Sequence, residues 1–450
     1  MLQILFVSGS ASAITRNIGT LALLLLLLPF NLAMVLLFGI KNLFSPKNDS
    51  RIASTSIEKK RILITGAKMT KALQLARSFY RDGHEVYLVE THKYWLSGHR
   101  FSRAVKGFFT VATPEKDPEQ YCQDILNIVR EQNIDLFIPV SSPIASYYDS
   151  LAKKAIEPYC ESLHLDPEVT AILDDKYAFC SKARELGLSA PKVFRITNPQ
   201  QIIDFDFSNE SNKYIVKSIP YDSVLRLDLT KLPFEGMEDY VRSLPINEEK
   251  PWVMQEFIRG KEYCFHATVR KGKIRLHCCS ESSPFQVNYE QVDNPAIYQW
   301  VETLVSKMNL TGQVCFDMIQ TEDGTVYPIE CNPRLHSAIT MFHDHPGVAK
   351  AYLSDDESAP ITPLPDSKPT YWTYHELWRL LSIRSLSELK AWWHKITKGT
   401  DAILTPDDPL PFLMLHNWQI PLLLLDNLRR LKGWVKIDFN IGKLVEIGGD

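Results

Sequence analysis

From Ile18 to Ile40 the chain carries no charged residue, and leucine dominates the stretch. A run of that length crosses the ~30 Å hydrocarbon layer of a bilayer when it is helical. The sequence therefore predicts a short tail over 1–17 and a transmembrane or membrane-anchor helix over 18–40. Arg16 is the one nearby positive charge before the run, whereas Lys41, Lys47, Arg51, Lys59, Lys60 and Arg61 follow it. That asymmetry places the body of the protein on the cytoplasmic side. A cleaved signal peptide fits poorly, because the apolar run is too long and no small-x-small site follows at Lys41–Phe44. Pro29 and Asn31 leave two forms open, a kinked span and a shallow re-entrant hairpin. A polar linker over 41–60 follows.

The chain has 450 residues and a net charge of −3, so it is long enough for several domains and has no basic field for nucleic acid. Its 8 cysteines form no C-x-x-C pair, which signals a reduced chain with neither a zinc motif nor a redox motif. From Arg61 short apolar strands alternate with helices. Strands are expected at Arg61–Thr65, Glu85–Val89 and Asp135–Val140, and helices at Lys68–Arg81 and Glu119–Gln132. This rhythm predicts an α/β domain with a parallel sheet over 61–146. The Gly66 turn is read as a strand-to-helix connection, since it lacks G-x-G-x-x-G. A second, α+β region covers 147–250, where Asp174 and Asp175 are placed to cap a helix running to Gly187. A strand-rich region covers 251–350. A helical extension covers 351–450, in which the apolar stretch within 413–436 is either an interfacial membrane helix or an amphipathic helix on the protein's own core.

The strongest chemical signal is Asp317 to Arg334. It reads as two strands around an Asp323-Gly324 turn. Counting outward from that turn, Gln320 faces Tyr327 and Asp317 faces Glu330, with Asn332 on the same face as Glu330. Opposed carboxylates about 5 Å apart repel each other unless a cation lies between them. An all-oxygen set of Asp317, Glu330 and Asn332 suits Mg²⁺, or Mn²⁺ in its place, held together with substrate phosphates. Lys176 stands in the first turn of a helix, where the dipole disfavours a cation. Lys217 ends an apolar strand. Two such lysines are suited to the phosphates of ATP.

These residues, in this order, resemble the ATP-grasp superfamily from Arg61 to about Gly347. The resemblance implies an ATP-grasp fold behind an N-terminal parallel α/β domain. It also implies that Lys176 and Lys217 bind phosphate, and that the backbone of Gln255-Glu256-Phe257-Ile258 holds adenine. Glu262 would contact the ribose, Asp317, Glu330 and Asn332 would bind magnesium, and Arg334 would steady the transferred phosphate. Lys176, Lys217 and Arg334 are thus the candidate catalytic residues. The chain departs from the pattern after Lys217, where Ser218-Ile-Pro-Tyr-Asp has no glycine. Ser218, Ser223 and Arg226 are the candidates to cover the phosphates.

The strings Lys71–Tyr80, His92–Ser102, Ser142–Asp149 and Lys432–Gly442 look like the mycosporine-glycine synthase branch of that superfamily. This implies ATP-dependent joining of glycine to 4-deoxygadusol through a phosphorylated substrate. The acceptor is expected near His336, Ser337 and the Ser142-Pro143 loop. An amino-acid ligase working through an acyl phosphate on another acceptor, and a membrane-tethered ATP-binding scaffold, are the alternatives.

Overall fold

The computed structural model describes residues 10–44, 58–141, 143–220, 225, 228–282 and 288–446. Helix α1 (Ser10–Phe44) opens the chain as one continuous helix with Pro29 inside it. The re-entrant hairpin is therefore not what forms, and the helix takes in part of the expected tail and of the expected linker. Most of that linker lies outside the described residues.

Strands β1 (Arg61–Ile64), β2 (Glu85–Thr91), β3 (Gly107–Val111), β4 (Leu136–Ile138) and β5 (Glu161–Ser162) form the predicted parallel sheet, in the order β3-β2-β1-β4-β5. Alternation along β1 sends Ile62 and Ile64 to one core and Leu63 to another. Helix α2 (Thr70–Arg81) covers the first face, and α3 (Pro118–Gln132) and α4 (Pro143–Ile156) cover the second. Gly66 makes the turn after β1 at φ 69°, a conformation that glycine adopts without a Cβ penalty.

Two lobes follow. Helices α5 (Pro167–Asp174) and α6 (Lys176–Glu185) lead into β6 (Val193–Ile196) and β7 (Tyr214–Ser218). Strand β8 (Trp252–Glu256) runs between β6 and β7, in a small antiparallel sheet flanked by α7 (Gln200–Ile203) and α8 (Met237–Ser243). A boundary at 250 thus cuts through this lobe, because β8 finds its hydrogen-bond partners there and not in the sheet that follows. Asp175 caps α6, accepting from Tyr177 N and Ala178 N at 2.8 and 2.9 Å, whereas Asp174 ends α5 and is no cap.

The larger lobe is a four-stranded antiparallel sheet. It contains β9 (Lys261–Arg270), β10 (Lys273–Glu281), β12 (Gly312–Gln320) and β13 (Val326–Asn332), in the order β10-β9-β12-β13. Between them come the short β11 (Asn288–Tyr289) and α9 (Pro295–Lys307). Phe265, Val314, Phe316 and Met318 turn one face of the sheet to Ile297, Trp300 and Val301 of α9. The opposite face carries Cys264, His266, Cys315, Asp317 and Glu330, whose direct pairings place them side by side.

The C-terminal segment is no appendage. Trp372, Phe412, Leu415, Ile420 and Leu424 are buried in the same core as Leu73 and Phe79 of α2. Of the two readings left open for 413–436, packing on the protein's own core therefore prevails for most of the stretch. Trp418 and Leu425 stay exposed. The segment is locked by charge as well. Asp408 accepts from Arg77 Nε at 2.9 Å, Ser102 Oγ at 2.6 Å and Arg103 N at 3.0 Å, all at the edge of the parallel-sheet domain. Arg77 and Asp408 are both buried. Removing one partner of such a pair leaves the other charge stranded in low dielectric, at a cost of about 3–5 kcal/mol. Asp408→Ala is expected to lower the urea midpoint by that equivalent, whereas the doubly replaced Arg77→Met/Asp408→Leu recovers most of the loss.

Candidate active site

The hairpin that holds the acids forms by a different route from the one its turn signal predicts. Asp317 stands opposite Glu330, and Cys315 opposite Asn332, as the count requires. Nearer the turn, however, Gln320 faces Val326 and Ile319 faces Tyr327. The loop is longer than Asp323-Gly324. Thr321 N donates to Thr325 O at 3.0 Å, Asp323 Oδ1 accepts from Thr325 N at 3.1 Å, and Gly324 sits at φ 86°. This Asx-closed loop shifts the register by one residue. A bulge at Ile329, between the Met318–Pro328 and Asp317–Glu330 pairs, shifts it back. The two carboxylates therefore meet because turn and bulge cancel.

Around them the structure gathers the predicted cations. Lys176 Nζ, at the start of α6, lies 3.3 Å from Glu330 Oε2. Lys217, near the end of β7, reaches the same acid from the small lobe, and its ammonium feels Glu330, Lys176, Asp317 and Glu262 together. Arg334 Nη2 donates to Asn332 Oδ1 at 2.5 Å, and its Nη1 lies 3.7 Å from Asp174. Lys176, Lys217, Asp317, Glu330, Asn332 and Arg334 are each half-buried.

Electrostatics divides the two acids. Burial pushes the Asp317 carboxyl well above its usual range, and the neighbouring Glu330 charge pushes it further. Burial also raises Glu330, but Lys176 and Lys217 outweigh it and hold that acid at about 2. Burial lowers the Lys217 ammonium, with the adjacent Lys176 adding to the effect against the pull of Glu330. A cluster with one reluctant carboxylate, two mutually repelling lysines and an arginine is strained as it stands. A divalent cation relieves the acids, and an anion between the lysines relieves the bases. The donor set of two carboxylates and one amide oxygen fits Mg²⁺. Arg334 Nη1 is buried and makes no hydrogen bond, its nearest acid being Asp174 at ion-pair distance.

The remaining predicted residues fall in two groups. Glu262 lies on β9 opposite Ile319, within electrostatic reach of Lys217. Its approach depends on Gly260, where a Cβ would stand 2.2 Å from Gln320 O. The Gln255–Ile258 segment is only partly free. Gln255 is fully buried, with Nε2 donating to Ile329 O at 3.1 Å. Glu256 N donates to Lys192 O at 2.9 Å and Phe257 N to Lys213 O at 2.7 Å. Those backbone donors are committed inside the small lobe, because β8 is its central strand. Of the expected adenine-binding segment, the N–H groups of Glu256 and Phe257 are thus already engaged within the protein. Ser218 Oγ donates to Pro220 O at 2.8 Å, while Ser223, Arg226 and Ser142 lie outside the described residues.

Sequence reasoning missed Lys71. It stands in the first turn of α2, is buried, donates to Leu335 O at 2.5 Å, and is pushed down to about 7 by burial and by Arg334. The signal was the one that marked Lys176, a lysine at a helix start where the dipole disfavours it.

Residues 173–338 match the family described as ATP-grasp domain. Among solved structures, a biotin carboxylase–β,γ-ATP complex from Campylobacter jejuni is 13% identical, with TM-score 0.51 over 68% of this chain and 74% of that one. An N5-carboxyaminoimidazole synthetase from Staphylococcus aureus is 13% identical, with TM-score 0.50 over 70% and 82%. An L-amino acid ligase from Bacillus licheniformis is 17% identical, with TM-score 0.47 over 65% and 70%. No curated protein matches the chain by sequence. The chain thus has a mixed α/β architecture, in which the region that matches the ATP-grasp domain follows a parallel sheet.

Because Asp317 binds its proton more tightly folded than unfolded, the ligand-free protein loses stability as pH rises past the ordinary carboxylate range. Asp317→Asn removes that repulsion. It is expected to raise the melting temperature of the ligand-free protein at neutral pH, and to abolish the further rise on adding MgADP. Differential scanning calorimetry with and without MgADP checks both.

Proposed function

We propose that the protein is an ATP- and Mg²⁺-dependent ligase that forms a carbon–nitrogen bond. The observation that carries this reading is the convergence of Lys176, Lys217 and Arg334 on the Asp317–Glu330–Asn332 set, between the two lobes of an ATP-grasp domain. Asp317, Glu330 and Asn332 would hold magnesium, which offsets phosphate charge when bound. Lys176 and Lys217 bind phosphate oxygens, and Arg334 offers Nη1, which makes no hydrogen bond of its own, to the group in transfer. An acceptor oxygen takes the γ-phosphoryl group from ATP. An amine then displaces phosphate, leaving ADP, phosphate and the C–N product. The work is positioning and charge stabilisation, so no side-chain nucleophile is required.

We assign glycine as the amine and 4-deoxygadusol as the acceptor. The sequence resemblance supports this, and so does the position of its strings. Lys71 donates to Leu335 O, Ser146 Oγ to Pro333 O at 2.8 Å, and Asn440 Nδ2 to Ser337 Oγ at 2.8 Å. Three separate stretches of the resemblance thus touch the segment that follows the hairpin, where His336 and Ser337 would face the acceptor. With ATP, Mg²⁺, 4-deoxygadusol and glycine, mass spectrometry should find the condensed product, with ADP and phosphate in equal amounts. Asp317→Ala/Glu330→Ala should lower phosphate release at least a thousandfold, and full turnover by that variant would sink the assignment. Product formed only with another acceptor or amino acid would transfer the reading to a carboxylate–amine ligase.

The same reading puts the enzyme at a membrane, with α1 lying in the plane of the bilayer surface. Helix α1 is long and apolar enough to cross a bilayer. Asn17, Leu24 and Asn31 are buried at seven-residue spacing along one side of it. That side is fastened to the body throughout. Asn17 Nδ2 donates to Lys432 O, Asn31 Nδ2 to Tyr374 Oη and Asn417 Oδ1, Asn417 Nδ2 to Leu24 O, and Asn42 Nδ2 to Pro406 O. A span would drag these polar partners into hydrocarbon. The opposite side shows Leu25, Leu26, Phe30, Leu36 and Leu37 to the surroundings, as an interfacial helix does. Single cysteines in place of Ser10 and Phe44, at the two ends of α1, should both react with an impermeant maleimide added to one side of sealed vesicles. Protection of one end alone would mean a span.

A further inference from the structure

Next to the oxygen cluster, on the same sheet face, stands a cluster of different chemistry. Cys264 is the residue directly opposite Asp317 across β9 and β12, and Cys315 precedes Asp317 by two positions. Their sulfurs are 3.2 Å apart. His336, just past the hairpin, brings Nδ1 to 3.4 Å and Nε2 to 3.6 Å from Cys264 Sγ. One donor atom from each of the three lies within 4.8 Å of the others. No step of the ligase reading uses the two thiols.

We propose that Cys264, Cys315 and His336 form a binding site for a thiophilic divalent cation, Zn²⁺ before others. The donor–donor distances argue for it. With Zn–S near 2.3 Å and Zn–N near 2.0–2.1 Å, a tetrahedron has S···S edges of about 3.7 Å and S···N edges of about 3.5 Å. The Cys264–His336 contact falls at that S···N edge length, the Cys315 sulfur lies within 4.8 Å of the imidazole nitrogen, and the S···S contact opens to its edge with a shift of about half an ångström. The surroundings also suit a metal. Cys264 and Cys315 are buried, which excludes competing water. His266, directly opposite Cys315, donates Nδ1–H to Val314 O at 3.1 Å. Its Nε2 therefore carries a lone pair, buried and without a hydrogen-bond partner.

Binding replaces the direct thiol contacts and costs a hydrogen bond from the backbone. Ala338 N donates to His336 Nδ1 at 3.2 Å, and that lone pair passes to the metal. The two thiols release their protons to solvent as the cation enters, so affinity rises with pH. Three protein ligands leave a fourth position open, as in zinc sites that hold water or a substrate oxygen. The face then carries two cation sites side by side, a hard one of oxygen donors and a soft one of sulfur and nitrogen. The site stands on its own geometry and does not depend on the identity of the acceptor.

The test is a titration of the reduced, metal-free full chain with Co²⁺, followed by displacement with Zn²⁺. One equivalent should produce the visible bands of tetrahedral Co²⁺ with thiolate charge transfer, and Zn²⁺ should bleach them. Cys264→Ser/Cys315→Ser should lose the charge-transfer band, and His336→Asn should weaken affinity at least tenfold. Circular dichroism checks that each variant folds. X-ray absorption at the zinc edge of the unmodified protein decides without variants, since it should show two sulfur scatterers at about 2.3 Å. No Co²⁺ uptake, an unchanged spectrum in the folded double variant, or zinc with oxygen and nitrogen neighbours only would overturn the proposal.

Discussion

Two carboxylates held against each other organise this protein. Asp317 and Glu330 are opposed across a hairpin, and like charges at that separation do not ionise together unless something compensates. Lys176 and Lys217 compensate Glu330 from two different elements, one on a helix start beside the large lobe and one on a strand of the small lobe. The lobes are thus held in register by charge as well as by packing. A metal ion and a polyphosphate between them, as proposed, would replace an imperfect compensation with a better one. The same physics that strains the ligand-free cluster selects its ligands.

The face of the sheet that carries these acids is distinct from the face that stabilises it. Phe265, Val314, Phe316 and Met318 take the side facing α9, leaving the opposite side free of that duty. Polar and thiol groups collect there because the parallel-sheet domain and the C-terminal segment roof it, through Lys71, Ser146 and Asn440. The C-terminal segment is in turn tied down by Asp408 and by the seam along α1. Helix α1 accordingly helps hold the C-terminal segment in place.

Much of this was legible in the sequence where short-range rules decide. The strand–helix alternation from Arg61 marked the parallel sheet, and an acid pair with two lysines marked a cluster that the fold does bring together. The facing of Asp317 and Glu330 was right, yet it rested on a turn that does not form. Thr321, Asp323 and Thr325 close a longer loop, and the bulge at Ile329 restores the register by a long-range fit. The membership of β8 in the small lobe was hidden because a central strand shows no sign of which neighbours it has. The burial of Leu415, Ile420 and Leu424 was hidden for a similar reason, since their apolar partners lie on α1 and α2, hundreds of residues earlier. Cys264 and Cys315 were invisible as a pair, because only strand pairing brings them together.

The central claim is that the charge cluster is a magnesium–nucleotide site. Isothermal titration of ATP into the full chain, with and without Mg²⁺, tests it most directly. One nucleotide per chain should bind, at least tenfold tighter with Mg²⁺ than without, and Lys217→Met should remove most of the affinity in both conditions. Binding that ignores Mg²⁺, or no binding at millimolar ATP by the folded protein, would contradict the account.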